Sequence, residues 1–561
     1  MNDTDFDLDL HAAANRLDVP VGDVDQVVTR AERRQARQRV IVSMVTVVAL
    51  ITGSVTAFDL PNRDRGRTPL ATASAAVRGD VGLTWKRTAP ASGLGWMGQV
   101  RNGTPLYALS TAPGATDVNR AKPHRVVWAS TDGVEWAARQ TLADDLYLSD
   151  LSPRGDRIYA VGTAPAQSVS ATGGSFSNPL TGWSDDGGKT WRTALLPFDL
   201  GGLSTKMKPV VAYQMRVAAG PKGTVAAFVL GGQLDVPSVL PPGVEAPNGW
   251  ALSPTGVDVL KSGKPTCPAG MTAPPDDASA AANRRRSAPE EAYGQECVGK
   301  DGSTQYRTAR EAFGVAASYT WADLHIDGDL LKAVRREAVA FFAPPGTTRF
   351  ERVNLAGGLS VAGALLLKAD DDGFDLAAMS GFNATHTTEV TTLRSTDGRT
   401  WQPAGPSIPG SAYPVAVGQL GGATAVVISE SDKDVKLYRA DGAGGWITTS
   451  LTTLLDPSAL GSASLVPFGG DIGPLGVAVA VLGAPPNQAS GKDANIQYRR
   501  VLVSRDGATW ADYDLDALAG ERVIGVSRVA VTGDRALVTV GVAPREKGRI
   551  MSQLVLSATA S

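Results

Sequence analysis

Cysteine is nearly absent: the 561 residues contain two, Cys267 and Cys297. This excludes a disulfide-dense scaffold and a zinc centre built on four thiolates, and leaves room for one bridge. Histidine is equally sparse, with four in the chain, and His124, His325 and His386 are scattered without HExxH or Cys/His spacing, so no metal is expected. Charge of one sign is also missing. A formal net charge of -2 supplies no basic face for phosphate neutralisation, which argues against nucleic acid as a partner. Aromatic residues make up 6% of the chain, whereas Gly (62) and Pro (35) are plentiful, a balance suited to a turn-rich all-β protein.

Only one long apolar run is present. Val40 to Phe58 carries no charge and, at about 1.5 Å per residue, would span roughly 28 Å as a helix, close to the thickness of a hydrocarbon core. The expectation is a transmembrane helix over 39–58. A cleaved signal peptide ending near Val55-Thr56-Ala57 is the alternative, opposed by the long leader and the length of the run. Arg30, Arg33, Arg34, Arg37 and Arg39 precede the span, so the 1–38 tail is expected inside and everything after a 59–79 linker outside. The preference for Ala, Gly and Arg over Lys resembles proteins of high-GC bacteria, which would make the outside the cell envelope. In the tail, Leu10, Ala13, Ala14 and Leu17 share one helical face and Val24, Val27, Val28 and Ala31 another, separated by Pro20. This loosely resembles cytoplasmic segments of membrane proteins associated with sigma factors. A membrane-proximal helix with solvated charges is the simpler reading.

Beyond residue 80 a short pattern recurs four times: Ser130-Thr-Asp132-Gly133-Val-Glu-Trp136, Ser184-Asp-Asp186-Gly-Gly188-Lys-Thr-Trp191, Ser395-Thr-Asp397-Gly398-Arg-Thr-Trp401 and Ser504-Arg-Asp506-Gly507-Ala-Thr-Trp510. Ser and Asp side chains bond turn amides, Gly accepts positive φ, and Trp anchors the turn in apolar surroundings, so these residues are expected to lock turns rather than catalyse. The pattern resembles the Asp-box, or BNR repeat, of sialidase-like β-propellers. Trp136 and Trp191 lie 55 apart and Trp401 and Trp510 lie 109 apart, implying a unit of about 50 to 55 residues. Strand-like runs around each box suggest four-stranded blades. Counting fourth strands near 85, 136, 191, 259, 350, 401, 446 and 510 gives eight blades. Seven is the alternative, because residues 300–337 pattern poorly and look partly helical around Trp321, Leu324, Leu331 and Val334. The isolated strand around Trp85 is expected to complete the last blade and close the ring over residues 80–561.

Long polar stretches between second and third strands imply one elaborated face, opposite the turns that carry the boxes. The largest insertion, 267–300, is expected between blades on that elaborated side and is bracketed by Cys267 and Cys297, which are expected to bridge in an oxidising compartment. Other chemical signals are weak. Gly187-Gly188-Lys189-Thr190 imitates a phosphate loop, but Gly182 is one position too early. Asp370-Asp371-Asp372-Gly373 resembles part of a calcium loop, yet Lys368 occupies its first position and no Glu its twelfth, so a solvated hairpin turn is expected. The resemblance would imply a sialidase first, but its Arg-Ile-Pro motif is missing, Arg157-Ile158 being followed by Tyr159. No catalytic residue or cofactor is assigned. The reading is a membrane-anchored recognition, sensing or scaffold module for an envelope glycan, peptide or protein. The alternatives are a sialidase-like glycoside hydrolase and a membrane partner of a cytoplasmic regulator.

Overall fold

The computed structural model describes residues 71–560 apart from internal stretches, the longest being 112–124, 274–294 and 485–497. The tail, the apolar run of 39–58 and the linker up to residue 70 lie outside the described residues. Among the described residues no helix is long and apolar enough to cross a membrane.

Nearly all regular structure is antiparallel sheet. The main sheets begin at Met97, Tyr147, Met207, Leu365, Tyr413, Ser464 and Val523, and in each the strands from that residue on lie in chain order from the first outward. The first strands touch one another in that same cyclic order, the last returning to the first. Such an arrangement is consistent with a β-propeller. Its cohesion comes from face-to-face packing. Each adjacent pair of sheets shares an apolar cluster, for example Leu106, Trp128 and Trp136 of the first sheet with Ala530, Leu537 and Val555 of the last.

Closure follows the sequence-based expectation. Leu83–Arg87 pairs antiparallel with Ser552–Ala560, Trp85 opposite Ala558, so the strand nearest the N-terminus forms the outer edge of the sheet nearest the C-terminus. The segment just before it departs from the expected free linker. Ala71–Ser74 runs parallel to Trp446–Ser450 on the outer edge of the fifth sheet, and Val77–Arg78 runs parallel to the edge strand Thr509–Asp514 of the sixth. Arg78 reinforces this strap by donating from Nε to Leu454 O at 2.9 Å and pairing with Asp512 at 3.7 Å.

The strand count near 259 needs correction. Gly256–Leu260 is the middle strand of a separate three-stranded sheet and not the outer strand of a main sheet. The physical reason is an excursion that begins after the second strand of the third sheet, Gly223–Leu234, and ends at the third, Ala338–Ala343. It splits that sheet in sequence without disturbing its pairing. The excursion therefore runs over 235–337, wider than 267–300, and it lies within a sheet rather than between two. The fourth strand expected near Phe350 is Glu351–Val353. The partly helical pattern after Trp321 resolves into the helix Gly328–Val334.

Candidate functional site

The four Ser-x-Asp turns show where the repeating residues spend their hydrogen bonds. In each, the Ser hydroxyl donates to the Asp carboxylate and accepts from a glycine amide: Gly133 N and Gly507 N reach Ser130 and Ser504 at 2.8 Å, Gly188 N reaches Ser184 at 2.8 Å and Gly398 N reaches Ser395 at 2.9 Å. Asp397 Oδ1 accepts from Arg399 N at 2.8 Å and Thr400 N at 2.7 Å, and Asp506 Oδ1 accepts from Ala508 N and Thr509 N at 2.8 Å. Asp132 accepts from Glu135 N, and Asp186 from the amides of Lys189 and Thr190 and the Thr190 hydroxyl. Hydrogen bonds from Thr190 lower the pKa of Asp186. At Asp397 and Asp506 burial raises the pKa, but the turn amides and Ser hydroxyl outweigh it and the result is lowered.

The box glycines also do something that turn chemistry alone does not require. A Cβ on Gly133 would meet Leu537 at 2.8 Å, one on Gly188 would meet Val127 at 3.1 Å, one on Gly398 would meet Phe342 at 2.3 Å, and one on Gly507 would meet Leu420 at 2.8 Å and Leu437 at 3.0 Å. Each of those partners belongs to the preceding sheet of the ring. The turns thus dock every box-bearing sheet onto its neighbour. The Trp residues complete the turn by donating Nε1 to the glycine carbonyl at Trp136, Trp191 and Trp510, at 3.2, 3.2 and 3.1 Å. Trp401 differs, its Nε1 being buried without a hydrogen-bond partner.

Near the axis, on the same face as the boxes, the ends of the first strands enclose a cavity of about 270 Å³ lined by Ser152, Lys368, Asp370, Asp371 and Gln419 among others. Its charged groups are mostly committed. Lys368 Nζ bonds both oxygens of Asp471, at 2.7 and 2.8 Å, reaching from the fourth sheet across to the sixth. Asp370 is clamped by the guanidinium of Arg394, which also reaches Asp375 Oδ2 at 2.8 Å. Asp375 lies behind the cavity, fully buried, and accepts from Gln419 Nε2 at 2.9 Å and Thr424 Oγ1 at 2.8 Å in the fifth sheet. Burial pushes Asp375 up to about 6 despite Arg394 and these two donors, with Asp370 adding to the rise. Asp370 moves the other way, because Arg394 and the amides of Asp372 and Gly373 outweigh its own burial.

Polar side chains of the first strands also satisfy the backbone of the next first strand. Asp150 Oδ2 accepts from Val217 N at 3.1 Å, Gln214 Oε1 from Leu365 N at 2.7 Å, and Asp471 Oδ2 from Val531 N at 2.8 Å. Gln214 holds a positive φ of 50°, a conformation that costs free energy for a residue with a side chain and is offset here by its two hydrogen bonds to residues 363 and 365.

On the opposite face stands the excursion. Val257, Trp321, Leu324, Ile326 and Leu330 pack into the apolar cluster that holds the second and third sheets together. Cys267 and Cys297 are joined, and Cys297 lies on the middle strand of a small three-stranded sheet with no solvent exposure. Closing that loop stabilises by about 3 to 4 kcal/mol in the chain-entropy account.

The structure brings the box residues to one face but leaves them spread around the rim, one turn per sheet. The axial groups Lys368, Asp370, Asp375, Arg394 and Asp471 are not singled out by sequence as a set. Lys368 and the Asp370 turn enter the sequence reading only as a failed calcium loop, and Asp375 and Arg394 look like ordinary alternating strand positions. No group of acidic, His or Cys residues suited to a metal ion occurs among the described residues.

No family model matches the chain, and no curated protein matches it. Solved structures with similarity include a Dyadobacter fermentans protein of unknown function, at 10% identity over 86% of this chain and 100% of that one, with a TM-score of 0.34. A Trypanosoma rangeli sialidase is 11% identical over 84% of this chain and 59% of its own, with a TM-score of 0.32. A Penicillium chrysogenum α-L-arabinanase complexed with arabinobiose is 10% identical over 86% of this chain and 98% of its own, at 0.31.

Proposed function

We propose that the chain is a seven-bladed Asp-box propeller, held outside the membrane by a helix over 39–58, whose loop face recognises an envelope glycan, peptide or protein without turning it over. The observation that carries this reading is the excursion of 235–337. It is built on a continuous apolar core and closed by a disulfide, which makes it a rigid extension of the loop face rather than a loose insertion. Supporting it, each box aspartate is bonded within its own turn, and Asp370 is tied to Arg394.

The test uses the purified 59–561 ectodomain on a glycan array and with sialosides, beside a variant in which 274–294 is replaced by a short linker and the disulfide is kept. Saturable binding without turnover, lost or weakened in the variant, supports the reading. Multiple-turnover release of sugar favours the hydrolase alternative, for which the buried Asp375 near Asp370 is the nearest thing to a tuned carboxylate pair. Capture of a cytoplasmic partner by residues 1–38 alone would favour the signalling alternative.

A further inference from the structure

The strap of residues 71–78 carries directional information. Ala71 pairs with Trp446 and Ser74 with Thr449, in parallel, so the strap starts where the outer strand of the fifth sheet starts. That strand begins just after the turn Asp441-Gly442-Ala443-Gly444-Gly445, which lies at the same end of its sheet as the Ser-x-Asp turns do in theirs. The second piece repeats the geometry: Val77 pairs with Thr509 and Arg78 with Trp510, again at the box-turn end of an outer strand. The chain therefore reaches the ring at its box face, on the rim of the fifth and sixth sheets, and then lashes three successive sheets, the third through Leu83–Arg87.

We infer that this attachment makes the box face the membrane-proximal one and directs the loop face, with the excursion, away from the lipid. The inference rests on the anchor proposed above. Phe58 and Ala71 are 13 residues apart, so the chain between them spans at most about 47 Å even if fully extended. With the box face down, this length has only tight turns to clear, such as Gly421-Gly422 and Asp371-Asp372. With the loop face down, the same residues must first descend the height of a sheet. Asp434–Ala440 has seven residues, or about 23 Å. About half of the extended reach is spent on that descent, before the loops of that face and the excursion are cleared. Geometry thus selects one face, and the face selected leaves the elaborated surface open to the cell exterior.

The test is energy transfer to a headgroup-labelled lipid, using full-length protein in proteoliposomes. The native cysteines are joined, so a single introduced thiol can be labelled: Asp371→Cys in an exposed box-face turn, or Tyr413→Cys, whose side chain is 51% exposed at the loop-face end of a first strand. The expected result is clearly stronger transfer from position 371 than from 413, with the difference shrinking when about 30 Gly/Ser residues are inserted between Asp64 and Arg65. Equal or reversed transfer in protein that floats with the vesicles overturns the orientation and leaves the anchor standing. Failure to float overturns the anchor and the orientation with it.

Discussion

Gly398 and Gly442 offer a controlled comparison of what a box glycine does. Both hold positive φ, 74° and 76°, so alanine at either position pays a left-handed backbone cost of about 1–2 kcal/mol. Only Gly398 is packed. Its Cβ would stand 2.3 Å from the ring of Phe342, whereas nothing lies within 4 Å of a Cβ on Gly442. Phe342 has little freedom to yield, since it packs edge-on to Phe374 at 6.5 Å and carries the Arg399 guanidinium 4.9 Å from its ring centre. Overpacking of this kind adds about 1–3 kcal/mol. Gly398→Ala should therefore cost about 2–5 kcal/mol, and Gly442→Ala about 1–2 kcal/mol. The gain from restricting the unfolded chain is shared by both variants and cancels in the difference. Urea unfolding of the 59–561 ectodomain, followed by tryptophan fluorescence, measures the gap. Equal costs would show that the turn does not dock onto the preceding sheet and would refute the reading of the boxes as locks between sheets.

Three further outcomes follow from the same geometry. Asp397→Ala should cost about 0.5–2 kcal/mol, the scale of a lost cap, without selective loss of ligand binding; a variant of unchanged stability that loses only binding would make Asp397 a ligand contact. Trp401→Phe should cost less than Trp510→Phe by about 1–3 kcal/mol, because Trp401 has a buried Nε1 without an acceptor and Trp510 donates to Gly507 O at 3.1 Å; equal costs in urea titrations would contradict this. Asp375 binds its proton more tightly when folded, with the pKa raised from 3.8 to about 6, so its contribution to stability falls as pH rises through that window and is level above it. Asp375→Asn should accordingly cost more at pH 4 than at pH 7, measured as the difference from wild type so that the oppositely shifted turn aspartates cancel, and a cost that grows with pH would reverse the assignment.

The ring and its closure were legible in the sequence because they rest on residues with narrow tolerances. A turn that needs positive φ, an amide-bonding aspartate and a tryptophan anchor can be written in few ways, so Ser130 to Trp136 and its three copies announce themselves. Trp85 is legible for the same reason, lying one repeat before Trp136. The miscount near 259 has an equally physical origin. A strand of the excursion, Gly256–Leu260, is buried at every position, and buried strands look alike whether they belong to a main sheet or to an insertion. The strap of 71–78 was invisible because parallel edge pairing uses the backbone, and Ala-Thr-Ala-Ser carries no pattern that separates it from a tether. The axial network was hidden differently. Lys368 and Asp471 are 103 residues apart in sequence, and only the closing of the ring brings them to 2.7 Å.

The two faces of the ring divide what is repetitive from what is particular. On the box face, the repeated side chains, Trp401 excepted, bond where they stand: Ser504 and Asp506 bond three turn amides between them, Trp510 returns to Gly507, and Gly507 leaves room for Leu420 and Leu437 of the sheet before it. Side chains that bond their own turn meet the same local demand in every sheet, and that is why they recur unchanged. On the loop face nothing demands recurrence. Among the described residues the excursion follows the second strand of the third sheet, and its core residues Trp321, Leu324 and Leu330 pack into the cluster between the second and third sheets. Under the recognition role proposed above, the ligand-contacting side chains are to be sought on 235–337 and the neighbouring loops rather than on the motif that reveals the fold.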